Sequence, residues 1–223
     1  MKEYLKPAEF IDSGSEEVKS FTRKFAGSGT EPVSKAVNLY YAVRDGFYYD
    51  PYTIDFSREA VKASSQVTRK YGFCISKACL LAAAARASGI PSRLAFANVR
   101  NHIATEKLEK LLQTDVMVFH GYTELFLNNR WIKATPAFNK SLCEKLNVEP
   151  LEFDGKNNSL FQQYDKTGKK FMEYVHDYGN FPDVPLELFI SELSKHYPHL
   201  FSGNKRMKEY GVKWKGIAVL NKL

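Results

Sequence analysis

One run, Cys74 to Ala87, restricts what this chain can fold into more than any other. It contains the unbroken apolar block Leu80-Leu81-Ala82-Ala83-Ala84-Ala85, made of the strongest helix formers, and stops at Ser88-Gly89-Ile90-Pro91, a glycine C-cap followed by proline. A helix that is apolar nearly all round has to be covered on several sides. The rest of the chain must therefore wrap around it.

The first residue of that helix is a cysteine. A thiol at a helix start sits beside unpaired backbone N–H groups and the positive end of the helix dipole, which favours thiolate, the nucleophilic form. The bland alternative is a small apolar residue opening a core helix, since most buried cysteines are that. Cys79, five residues on, lies roughly 140° around the helix and reads as core packing. Cys143 reads as incidental. Three cysteines, an odd number without metal-ligand spacing, argue against a disulfide framework or a zinc site and suit a reducing, cytoplasmic setting.

Around this helix the periodicities predict a mixture of elements. Ser13-Gly14-Ser15-Glu16 introduces Val18, Phe21 and Phe25 at helical spacing, and Val33, Ala36, Val37, Tyr40 and Val43 stripe a second helix that ends near Gly46. Phe47 to Tyr52 is aromatic and turn-rich, a loop or short strand, and Ser57 to Arg69 is a further helix candidate. Arg93 to Val99 looks like a strand, and a charged excursion follows, helical around Glu106 to Leu112. Asp115 to Leu127 is a strand by composition; Asn128-Asn129 makes a two-residue hairpin turn, and Arg130 to Thr135 returns. Pairing Leu127 with Arg130 sets Phe126 opposite Trp131 and Glu124 opposite Lys133, the latter a cross-strand ion pair. His120, Tyr122 and Glu124 then share a face with Trp131, Lys133 and Thr135, the face on which to seek a partner for the thiol. Glu152 to Asn158 and Thr167 to Lys170 read as loops, as does the His176-Asp177 segment. Pro182 and Pro185 precede a helix striped by Leu186, Phe189, Ile190, Leu193 and Tyr197. No repeat or low-complexity linker appears, so one domain over 1–223 is expected.

A nucleophilic thiol needs a base, and the base needs an orienting group. Of the five histidines, His102 lies in a polar stretch, His176 in the segment read as a loop, and His196 and His199 flank Tyr197-Pro198. His120, mid-strand beside the hairpin, is the candidate base. Residues 203–223 carry Lys205, Arg206, Lys208, Lys213, Lys215 and Lys222 against Glu209, so this end supplies most of the net +7. Such a cluster could touch nucleic acid, but a solvated end explains it as well, and nothing elsewhere interleaves aromatic and basic residues. Met1 to Pro7 lacks the apolar core of a signal peptide, and no apolar run approaches bilayer length.

Two segments then carry a resemblance. Gly72-Phe73-Cys74 with Leu80 to Ala87 and Ser88-Gly89-Ile90-Pro91-Ser92-Arg93 resembles the nucleophile segment of the transglutaminase-like superfamily. His120-Gly121-Tyr122-Thr123-Glu124-Leu125-Phe126-Leu127, with Arg130-Trp131-Ile132-Lys133-Ala134-Thr135-Pro136, resembles its histidine strand and the strand that follows. The resemblance covers about residues 36 to 139. It implies an α+β, cysteine-proteinase-like fold: a central Cys-bearing helix packed on an antiparallel β-sheet, with extra helices at both ends. It also implies Cys74 as nucleophile, His120 as general base and acid, a protein or peptide substrate, and no metal or organic cofactor. The chain departs from the family pattern at Tyr122, where a Trp is usual, and at Thr135, where the orienting Asp is expected. A Thr135 hydroxyl can accept a hydrogen bond from His120 but brings no negative charge. Asn139, Asp154 and Asp177 are rival orienters. Three functional readings follow: a cysteine enzyme acting on an amide through a thioester, a binding module of the same fold with an incompetent triad, and, ranked last, a nucleic-acid binder using the basic end.

Overall fold

The computed structural model describes residues 1–102 and 106–201, so the basic segment 203–223 lies outside the described residues. After a 3-10 turn over Lys2–Leu5 come α1 (Glu16–Phe25), α2 (Pro32–Gly46), β1 (Tyr48–Tyr49), α3 (Arg58–Val61), α4 (Ala63–Val67) and β2 (Tyr71–Gly72). The central helix α5 (Cys74–Ala87) is followed by β3 (Ser92–Asn101), α6 (Glu106–Leu112), β4 (Val116–Leu127) and β5 (Arg130–Ala134). The chain continues through α7 (Lys140–Lys145), β6 (Met172–Phe181), α8 (Leu186–His196) and α9 (Pro198–Phe201). Four strands form an antiparallel sheet in the order β5-β4-β3-β6, and β1 pairs in parallel with β2. The fold is α+β, with the Cys-bearing helix at its centre. One apolar core runs continuously from Phe10 to Leu200.

Helix α5 has the limits its sequence predicts, and every residue from Cys74 to Arg86 is buried. Helices α1, α2 and α4 cover one side of it and β4 the other. Its polar atoms are bonded to the neighbours. Thr22 Oγ1 donates to the Ala84 carbonyl, Ser92 Oγ to Ala82 and Thr123 Oγ1 to Ala78. Cys79 Sγ donates to the Phe10 carbonyl, which is the packing role expected of it. The Arg86 guanidinium donates to the carbonyls of Lys6, Ser92 and Pro182, joining the N-terminal segment, the start of β3 and the end of β6.

The hairpin forms as predicted. Leu127 pairs with Arg130, Phe126 with Trp131 and Glu124 with Lys133, and Asn128 and Asn129 both take positive φ, as a two-residue turn of this hand requires. Three expectations are corrected. Glu124 bonds Arg93 Nε at 2.6 Å rather than Lys133, because Arg93 lies opposite it on the other flank of β4. The Arg93 guanidinium is held flat on the Trp131 ring, and Lys133 lies instead over the Tyr122 ring. The helix expected over Ser57 to Arg69 breaks at Lys62, which is extended. There the Phe10 carbonyl takes the Ala63 N–H and the Asp12 carboxylate takes the Ser64 N–H, so tertiary bonds replace helical ones. The His176-Asp177 segment is not a loop but part of edge strand β6.

Replacing Arg86 by Met keeps most of the volume but strips a donor from the buried Ser92 carbonyl and from the partly buried carbonyls of Lys6 and Pro182. Arg86→Met is expected to lower unfolding free energy by about 3 kcal/mol, the scale of buried polar groups left unsatisfied, read as a reduced urea midpoint at unchanged slope.

Candidate active site

The short β1–β2 pair delivers the chain to the thiol. Tyr49 lies opposite Gly72, two residues before Cys74, and the Asp50 N–H bonds the Gly72 carbonyl. Phe73 is the extended N-cap of α5, and its N–H is taken by Ser76 Oγ at 3.1 Å. Cys74 is thereby fixed as the first helical residue.

Strand β4 approaches the same point. A Cβ on Gly121 would lie 3.3 Å from Ile75 Cα and 3.1 Å from its Cγ1, so a larger residue here would push the strand or Ile75 back by a few tenths of an ångström. The backbone N–H groups of Gly121, Ile75 and Cys74 itself lie near the sulfur. These N–H groups favour thiolate, but burial outweighs them and pushes the thiol up to about 11. The thiolate expected from the helix start is thus not the resting form.

His120 directly precedes Gly121, so the fold brings the Cys74 and His120 segments together. The sheet pairs regularly from Ser92–Leu125 to Ala97–His120, which gives His120 the parity of Tyr122 and Glu124. Gly121 and Thr123 meet α5, so the face proposed from sequence for the thiol's partner is the one turned away from the helix body. Two irregularities adjoin the histidine. Phe119 has a φ of 61°, and a bulge sets Val118 and Phe119 against Asn98, whose Oδ1 accepts the Phe119 N–H. Burial alone draws the His120 imidazole down to about 4, and its Nδ1 has no partner among the described residues.

The expected orienters are engaged elsewhere. Thr135 donates its N–H to the Ser159 carbonyl and accepts the Tyr40 hydroxyl on its own carbonyl. Its Oγ1 is buried without a partner, so the bond expected from His120 is absent. Asn139 Oδ1 accepts the Tyr49 N–H and its Nδ2 donates to Ser141 Oγ, tying β1 to the start of α7. Asp154 caps the N–H groups of Lys156 and Asn157 in an exposed loop. Asp177 lies abreast of His120 with Ala97 between them, about 10 Å apart at two strand spacings, and accepts the Gly179 N–H.

Sequence reasoning missed Lys77. It is fully buried, and its Nζ donates to the carbonyls of Arg44 (2.8 Å), Phe47 (2.8 Å) and Ala137 (2.7 Å). One ammonium thus caps the C-terminal end of α2 and pins the segment leading to Asn139, one turn along α5 from the thiol. Burial draws Lys77 down to about 7, against the pull of Asp45. A lysine inside a helix with no polar face was the available signal.

Cys74 opens into a recess of about 500 Å³, counting its mouth, with Tyr49, Phe73, Val118, Phe189 and Leu193 in its walls. Tyr49 and Tyr197 lie near enough to the sulfur that a thiolate would raise both phenols, beyond the larger upward push of burial. His120 is not among the lining residues. Among the described residues no three His, Cys, Asp or Glu side chains gather as metal ligands, and no helix is long and apolar enough to cross a membrane.

A buried helix that opens on a cysteine, packed on an antiparallel sheet whose second strand carries the histidine, is the arrangement of papain-like cysteine enzymes. The profile of the transglutaminase-like superfamily matches residues 19–136, more than half of the chain, and the protein belongs to that superfamily. Among solved structures, a candidate cysteine protease from Cytophaga hutchinsonii is similar at 16% identity and a TM-score of 0.47. The match covers 80% of this chain and 53% of that one, so the chain spans about half the length of that relative. A candidate protease from Parabacteroides distasonis matches at 16% identity and a TM-score of 0.39, over 57% of this chain and 24% of its own. Among curated proteins, none matches.

The depressed histidine gives a pH prediction. Folded His120 titrates near 4 and an unfolded one near 6.5, so between these values the unfolded state binds the extra proton and stability falls as pH drops. The loss is about 3 kcal/mol at full extent, at 1.36 kcal/mol per pH unit. His120→Gln should remove this share of the slope in urea midpoints measured from pH 7 to 4. An unchanged slope would show that His120 is not held neutral.

Proposed function

We propose that the protein is a cysteine enzyme that attacks an amide carbonyl through Cys74 and passes through a thioester. The observation that carries this is the placement of Cys74 as the first residue of α5, near the backbone N–H groups of Ile75 and Gly121 and in the wall of an apolar recess. In this reading a neutral thiol meets a neutral imidazole. His120 takes the thiol proton as Sγ bonds the carbonyl carbon, then gives it to the departing amine as the C–N bond breaks. Water or a second amine, deprotonated by His120, attacks the thioester and releases the thiol. In this reading the Cys74 backbone N–H, at the start of the helix, contributes to the oxyanion hole. The substrate is a peptide, isopeptide or glutamine side-chain amide on a protein or peptide. The three free, buried cysteines suit a reducing, cytoplasmic setting.

A second reading is supported by Thr135 and by the unpartnered His120 Nδ1: a binding module of the same fold whose histidine lacks an orienter. An activated-ester acyl probe separates the two. Wild-type protein is expected to acylate at Cys74 and turn the acyl group over to water or hydroxylamine, whereas a folded Cys74→Ala protein accepts none. His120→Ala should slow turnover by about 10²–10⁴-fold, the usual contribution of a positioned acid–base group. Undiminished acylation of folded Cys74→Ala sinks the enzyme assignment. Acylation of wild type no faster than that of a free thiol favours the binding module.

A further inference from the structure

The recess beside Cys74 has a composition that selects among acyl groups. None of its lining residues is charged, and the side chains in its walls are hydrocarbon apart from the thiol, the Met117 thioether and two phenols. One phenol is already engaged: the Tyr197 hydroxyl accepts the Val118 N–H at 2.8 Å and donates to the Val116 carbonyl at 2.7 Å. It therefore offers the recess its ring and clamps the bulge that turns Val118 and Phe119 into the wall. On one side the recess is closed by Phe189, Leu193 and Tyr197, from α8 and its C-cap. These lie beyond residue 136, outside the part of the chain matched to the superfamily.

We propose that this recess receives the side chain next to the reacting carbonyl, and that the substrate is a main-chain amide whose acyl residue is large and apolar, leucine- or phenylalanine-like. The inference rests on the acyl-transfer reading of Cys74. Once Sγ–C has formed and C–N has broken, the acyl carbon is bonded to a sulfur that itself lines the recess, so the neighbouring substituent enters the same space. About 60 Å³ of the recess is open to the centre of a water-sized sphere, several times what one water needs, which is room for one such side chain and little more. An aspartate or lysine there would lose its hydration with no counter-charge. A glutamine attacked at its side-chain amide would bring several peptide N–H and C=O groups against walls that are almost wholly apolar. Leu193 and Val118 are specificity-determining residues under this proposal.

The test uses the whole chain and the chloromethyl ketones of N-acetylated leucine, phenylalanine, glutamine, lysine and aspartate, with Cys74 alkylation followed by peptide mass mapping and iodoacetamide as a probe without a side chain. The leucine and phenylalanine reagents should alkylate Cys74 at least about tenfold faster than the other three, the discrimination that an apolar pocket supplies. Leu193→Lys should cut the leucine rate about tenfold and raise the aspartate rate, while iodoacetamide reacts as with wild type. If that variant does not fold, Val118→Thr, nearly equal in volume, should lower the leucine-to-glutamine ratio. Equal rates for all five reagents at Cys74 would overturn the apolar subsite and leave the nucleophile standing. If none labels Cys74 faster than it labels free N-acetylcysteine, the acyl-transfer reading itself fails.

Discussion

Burial of α5 along its full length is the constraint on which the rest of the molecule depends. A helix with no solvent face has no water to satisfy its polar atoms, so each one fixes the path of another segment. Arg86 calls in three carbonyls at one end and Lys77 three at the other. Between them Thr22, Ser92 and Thr123 bond helix carbonyls from α1, β3 and β4. The helix is thus tied to its surroundings by directional bonds as well as by apolar contact, which fixes its rotation and its position along the sheet.

The reactive end of the helix inherits that rigidity. Cys74 is held between a capped N-terminus and a glycine on β4, and the same close packing that sets backbone N–H groups near the sulfur also dries it. These are two opposed influences on the thiol, and desolvation wins. The imidazole obeys the same balance, drawn down by burial with no charge nearby to offset it. Burial thus favours the neutral form of both groups.

Much of this was legible in the chain. The limits of α5, the hairpin register through Asn128-Asn129 and the packing role of Cys79 follow from local pattern, because each is set by propensity, turn chemistry or periodicity within a short window, whereas the fold class came from the family resemblance of two segments. The bridging of Glu124 was misread for a physical reason: a central strand has two neighbours, and the sequence of one hairpin shows only one of them. Arg93 was the unseen neighbour. The break at Lys62 escaped because the bonds that replace the helix come from Phe10 and Asp12.

The sequence by itself determined that a fully apolar helix, opening on a cysteine, would lie at the centre of an α+β fold, and that a histidine strand would follow it at the family's spacing. Tertiary structure decided what surrounds the thiol. It brought Gly121 within van der Waals reach of Ile75, left Thr135 without a bond to His120, engaged Asn139 with Tyr49, and closed an apolar wall from α8 onto the site. These are contacts between residues distant in the chain. Their geometry depends on how the helices and the sheet are stacked, which no local pattern encodes.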